Sequence, residues 1–139
     1  MTLRSGSKRR LVGLCVVALS ATLLVHALLF SRYLPDSFTR ALPFLALGWG
    51  SYLLLFYSLG RLRPSSDGMP NMRTTDLGLA LFLFAIVVSG LLDTAGLTFE
   101  GAPSAHLLPA VGVYLGLALA GWGFGTRTRT VNRIAAEIE

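Results

Sequence analysis

The chain has 139 residues, 53% of them apolar and only 14% charged, and its mean hydropathy is +0.64. That composition excludes a disordered chain and argues against an ordinary soluble domain. A formal charge of +5 would suggest nucleic acid as a partner in a soluble protein. Here the basic residues follow a pattern that membrane topology explains, so no nucleic-acid partner is expected.

A hydrocarbon core about 30 Å thick takes about 20 residues of helix at 1.5 Å rise each. The first predicted span, 11–30, carries no formal charge, and the second, 41–59, is bounded by Arg40 and by Gly60 and Arg61. The third opens at Leu77 behind Asp76 and stays uncharged only to Leu92. That run reaches about 24 Å, short of a crossing, so the helix is expected to continue through Asp93 toward Gly96, giving a span of 77–96. The fourth is 106–125. Residues 126–139 are expected to form a short amphipathic cytoplasmic tail, with Val131, Ile134 and Ile138 on one face and Arg133 paired with Glu137 four residues on. The fold class expected is all-α: an integral membrane four-helix bundle forming one domain over 1–139.

Helix ends are marked by short polar residues and by glycine. Pro35, Asp36 and Ser37 are expected to cap the second helix, Thr75 or Asp76 the third and Ser104 the fourth. Gly60 and Gly125 suit closing positions. Aromatic residues gather where the interfaces should fall: Phe30, Tyr33 and Phe38 at one, Phe56, Tyr57 and Trp122 at the other. Trp49 and Tyr114 fall near mid-membrane, where core packing is expected.

Orientation follows from the arginines and the lysine. The N-terminal segment, the second loop and the C-terminal segment hold ten of the 12 basic residues, and the first and third loops hold only Arg32 and Arg40. Translocated loops are poor in Lys and Arg, so both termini are expected in the cytoplasm of a cell whose outer boundary is this membrane. The first span reads as retained, because its apolar run exceeds the 7–15 residues of a signal peptide and no small-residue cleavage site follows. Eleven of the 12 basic residues are arginine, a bias that points to a GC-rich prokaryotic genome.

In lipid, helices associate through close packing of small residues more than through the hydrophobic effect. Gly112, Gly116 and Ala120 recur every four residues in the fourth span, and Gly121 and Gly125 repeat the spacing on a neighbouring face. Ala46 and Gly50 in the second span and Ala85 and Ser89 in the third are the expected counterparts. The stripe serves either packing within the chain or self-association and contact with another subunit.

Few residues could carry chemistry. Cys15, Ala18, Thr22 and His26 share one face of the first helix, and Ala85, Ser89 and Asp93 one face of the third. His26 lies about 22 Å along its helix from the cytoplasmic start and Asp93 about 24 Å along its own, so the two are expected to face each other at similar depth. Together with Thr22 and Ser89 they form the candidate polar intramembrane site. His26 and His106 are weaker candidates for metal or haem ligands, since no spacing such as HExxH supports them. No cofactor is expected. The lone Cys15 excludes a paired-thiol site, and no nucleophile and base stand together, so no enzyme is expected. The leading functional expectation is a small accessory, assembly or anchoring subunit of a larger prokaryotic membrane complex. The alternatives are an oligomeric ion- or proton-coupled transporter using His26 and Asp93, and a haem- or quinone-binding membrane anchor.

Overall fold

Long uncharged runs have one way to satisfy their backbone in hydrocarbon, and the chain takes it: every membrane-length segment is helical. The computed structural model describes residues 5–33, 38–63 and 72–138. Its helices are α1 (Ser5–Leu28), which runs on into a π-helical turn over Leu29–Tyr33, α2 (Phe38–Leu62), α3 (Arg73–Thr94) and α4 (Leu107–Ile138), the last preceded by a 3₁₀ turn over Pro103–His106. Four stretches are long and apolar enough to cross a membrane: Gly6–Arg32, Arg40–Leu62, Arg73–Thr94 and Pro103–Ile138. The protein is thus all-helical, with the composition of a multi-pass membrane protein.

The helices stand in the order α1, α2, α4, α3. Among the described residues α1 packs its backbone on α2, α3 on α4, and α2 and α4 on each other, while α1 meets neither α3 nor α4 at backbone distance. Contacts set the directions. Thr22 reaches Ser51 and His26 lies on Gly48, so α1 and α2 are antiparallel. Gly121 lies on Leu53 and Gly125 on Tyr57, so α2 and α4 run parallel. Gly123 meets Thr75, and Gly112 meets Ala85, so α3 and α4 are antiparallel. One end of the bundle therefore holds Lys8, Arg9, Arg10, Arg61, Arg63, Arg73, Arg127, Arg129 and Arg133, and the other Arg32 and Arg40.

Helix α4 is the shared wall, and its glycines explain why. A methyl group on Gly116 would sit 2.6 Å from the Phe82 amide nitrogen, and one on Gly112 would sit 2.9 Å from the Ala85 methyl, so this face is closed on α3. Gly78 of α3 returns the contact against Gly116 and Ala120. One step around the helix, a methyl on Gly121 would lie 2.5 Å from the Leu53 carbonyl oxygen, and Gly125 is tighter still against the Tyr57 carbonyl of α2. The stripe of Gly112, Gly116 and Ala120 is used within the chain. Of the expected counterparts, Ala85 is buried, but Ala46 and Gly50 are exposed, and a methyl group on Gly50 would meet no neighbouring helix within 4 Å. They lie on the outer face of α2, whose small contact residues are instead Gly48, on α1, and Gly60, on α4.

Several helix ends fall elsewhere than expected. Gly60 and Gly125 do not close helices: α2 runs on to Leu62 and α4 to Ile138, and both glycines mark the α2–α4 crossing, where Gly60 approaches the Trp122 carbonyl. Helix α3 starts at Arg73 after Met72, with no side-chain cap, and Thr75 is buried in its first turn against Gly123. Asp76, also in that first turn, complements the helix dipole rather than capping the helix. Ser104 lies inside the 3₁₀ turn, which begins after Ala102. Pro35, Asp36 and Ser37 lie outside the described residues, as do the side chains of Tyr33 and Phe38.

Helix α3 does continue through Asp93 and closes at Gly96, whose φ of +88° is open to glycine at no steric cost. The Leu97 amide donates to the Leu92 carbonyl and the Gly96 amide to the Asp93 carbonyl, the paired bonds of a Schellman end. Beyond residue 125, α4 stays helical to Ile138, so the tail is its extension. Arg133 and Glu137 are 3.9 Å apart there, and Val131, Ile134 and Ile138 are exposed.

Gly116→Leu should lower stability by about 1–3 kcal/mol through overpacking against α3, whereas Gly50→Leu, with open space around it, should stay within about 0.5 kcal/mol. Thermal unfolding in detergent measures both. Equal destabilisation would show that α4 is not the packing wall.

Candidate functional site

The polar side chains of the spans pair across helix boundaries, in partnerships that spacing alone did not reveal. Ala18 and Thr22 are buried on the face of α1 that meets α2, and His26 is half-buried one turn further along. His26 Nδ1 lies 2.7 Å from the Thr22 carbonyl oxygen, and Nε2 lies 2.5 Å from the Tyr114 hydroxyl of α4. A carbonyl only accepts, so in the neutral ring Nδ1 carries the hydrogen and Nε2 accepts the Tyr114 O–H. The tautomer is therefore set by the backbone of the preceding turn.

This pair bridges two helices whose backbones do not touch. The span between α1 and α4 is filled by aromatic rings: His26 and Tyr114 have centroids 5.4 Å apart, and Tyr52 of α2 stands edge-on to Tyr114 at 5.1 Å. Behind them Trp49 packs edge-on against Phe82 of α3 at 5.5 Å, beside the buried cluster of Ala85, Val113 and Leu117. Trp49 packs on that core, with its indole N–H buried without an acceptor, while Tyr114 is half-buried at the groove. Thr22 adds a second bridge, its hydroxyl within 2.7 Å of the Ala18 carbonyl and 3.1 Å of Ser51 Oγ, while Ser51 donates to the Gly48 carbonyl.

Because α1 and α4 stand apart, a groove of about 330 Å³ remains above α2, lined by Thr22, Leu23, His26, Ala27, Phe30, Tyr52 and Tyr114. It covers only the stretch from Thr22 to Phe30, about 12 Å at 1.5 Å per residue.

His26 and Asp93 do not meet. Helices α1 and α3 are separated by α2 and α4, and Asp93 is exposed at the last turn of α3. Equal depth was correctly necessary for the pairing but insufficient, because helix order decides which faces oppose one another. Ser89 bonds His106 instead: Ser89 Oγ lies 2.8 Å from His106 Nδ1, and His106 Nε2 lies 2.7 Å from the Leu97 carbonyl. The carbonyl places the hydrogen on Nε2, so Ser89 donates to Nδ1. His106 is buried and holds the α3–α4 loop onto the start of α4.

The two histidines are thus in separate places, one on the α1 side of α4 and one on the α3 side, and both ring nitrogens of each are engaged. Ligation of haem by His26 and His106 would break a hydrogen bond at each. Among the described residues no group of three or more His, Cys, Asp and Glu side chains is placed to hold a metal. Tyr114 was expected from sequence only to pack at mid-membrane, and its role as the partner of His26 was not. The signal was a polar ring at mid-span, eight residues beyond His106, whose half-buried hydroxyl seeks a partner.

Compared with family models, curated proteins and solved structures, the chain matches none.

Tyr114→Phe leaves the Nε2 acceptor of His26 unpaired, with an expected loss of about 0.6–1.7 kcal/mol, the range for intramembrane hydrogen bonds. A double-mutant cycle should return coupling between Tyr114→Phe and His26→Leu, and additivity within about 0.5 kcal/mol between Asp93→Asn and His26→Leu. Coupling of His26 to Asp93 but not to Tyr114 would reverse this assignment.

Proposed function

We propose that the protein is a small multi-pass subunit of a larger prokaryotic membrane complex, acting in assembly or anchoring through contacts made in the membrane plane. The observation that carries this reading is the open, almost wholly apolar groove at His26, Tyr52 and Tyr114. A solute carrier needs a path across the bilayer with polar groups free to bind cargo. In this chain Thr22, Ser51, His26, Tyr114, Ser89 and His106 bond one another or nearby backbone carbonyls. Edge helices α1 and α3 each cover one side only, and the free side of α1 presents Val12, Val16, Leu19 and Leu23.

The proposed placement is the cell membrane with both termini in the cytoplasm, supported by the nine basic side chains at one end of the described bundle and two at the other. Reporter fusions after Asp67 and after Glu139 should read cytoplasmic, and one after Gly101 external. An external C-terminus would refute the orientation.

The function is tested by a photo-crosslinking residue at Leu23 or Ala27, on the groove wall, in native membranes. A discrete protein adduct, recovered in constant ratio on mild-detergent purification, is expected, and adducts to lipid alone would sink the proposal. A small proton-coupled transporter is the second reading, favoured by the bond between His26 and Tyr114. It requires pH-dependent flux from the purified chain in liposomes, abolished by His26→Ala.

A further inference from the structure

At the basic end of the bundle, three arginines converge on the α2–α4 crossing. Arg61 follows Gly60, the glycine that brings α2 onto Trp122 and Gly125, so the base of its side chain is held where the two helices are closest. Its Nη1 reaches the Tyr57 hydroxyl at 3.4 Å, its guanidinium carbon stands 5.9 Å from the Tyr57 ring centre, and its Nε is buried without an acceptor. Arg129, four residues beyond Gly125, extends Nη1 to the Arg61 carbonyl at 3.5 Å. Arg63 lies over the Trp122 ring at 5.3 Å. Among the described residues none of the three has a carboxylate within ion-pairing distance, the ion pair of this region being Arg133 with Glu137.

Each guanidinium carries five N–H donors, and these three spend them on two long hydrogen bonds and two ring faces. Like charges gathered in this way repel one another, most strongly where a low-dielectric protein and membrane adjoin. The carbonyl end of α2 offsets part of that cost through its dipole. An anion with several acceptor oxygens would offset the rest, and a phosphate matches the forked geometry of paired arginines. Tyr57 and Trp122 place the cluster at headgroup level, because amphipathic rings settle at the membrane interface. The anion present at that level is the phosphodiester of a phospholipid, and basic pockets between transmembrane helices hold acidic headgroups.

We infer that Arg61 and Arg129, flanked by Arg63 on Trp122, form a binding site for the phosphate of an anionic phospholipid at the α2–α4 crossing. The site is independent of the groove at His26, which lies at the opposite end of the shared α2–α4 wall.

The test uses the full-length protein in zwitterionic detergent, titrated with phosphatidylglycerol or cardiolipin and, separately, with phosphatidylcholine, and followed by native mass spectrometry. One anionic lipid retained per chain is expected, with little retention of phosphatidylcholine. The pair Arg61→Gln and Arg129→Gln should weaken retention by about tenfold or more, as expected for lost hydrogen bonds to a charged group. The charge-matched pair Arg9→Gln and Arg10→Gln should change it by less than about threefold, since those side chains lie on α1. If the first pair fails to fold, judged by melting temperature without lipid, Arg129→Gln alone replaces it and should still weaken retention by about tenfold. Equal losses from the two pairs would mean diffuse charge attraction and overturn the site. Displacement of the lipid by inorganic phosphate at low millimolar concentration would assign the cluster to a free anion and overturn the lipid assignment.

Discussion

Backbone-to-backbone contact along α4 is the constraint on which the rest of the structure depends. Lipid tails are as apolar as leucine, so burying leucine between helices gains little, and helices must instead approach closely enough for dispersion and Cα–H···O contacts to accumulate. Glycine permits that approach. On α4 the sequence supplies two glycine faces one step apart, Gly112 and Gly116 toward α3 and Gly121 and Gly125 toward α2. A helix with two such faces becomes a central wall between two neighbours. Helix α1 then joins the outer side of α2, through Gly48 and its own buried Ala18 and Thr22.

The central place of α4 explains the polar pairs. Tyr114 looks toward α1 and His106 toward α3, because their partners, His26 and Ser89, stand on helices packed on different sides of the α2–α4 pair. Each histidine finds one backbone carbonyl and one hydroxyl, the carbonyl fixing the tautomer and the hydroxyl supplying the remaining proton. Imidazoles satisfied in this way, one buried and one half-buried, act as rivets between helices. The separation of α1 from α4 that makes the His26–Tyr114 bridge necessary also leaves the groove beside it. Tyr52 and Tyr114, edge-on to each other, form part of the lining of that groove.

The two ends of the bundle differ in chemistry for a local reason. Where the last turn of α2 runs beside α4, Gly60 and Gly125 draw the helices together just as the sequence turns from apolar to basic. Arginines in separate parts of the sequence, Arg61 and Arg129, are thereby made neighbours. Basic residues scattered by topology along the chain become a cluster only through the crossing geometry.

The sequence by itself determined the helices: their number, their membrane length, the continuation of α3 through Asp93, and the small-residue faces of α4. These follow from length, missing charge and 3.6-residue periodicity, which are local properties of the chain. It also marked His26, Ser89 and His106 as residues needing partners, because polar groups in hydrocarbon are costly. It could not name those partners. Depth along a helix can be counted, but which helices stand side by side depends on how all four pack at once. The order α1, α2, α4, α3 separated His26 from Asp93, joined His26 to Tyr114 and Ser89 to His106, and turned Ala46 and Gly50 outward. Gly60 and Gly125 show the same division: a glycine near a span's end reads as a stop, and only tertiary packing makes it a crossing point, because the requirement for a missing side chain there comes from another helix.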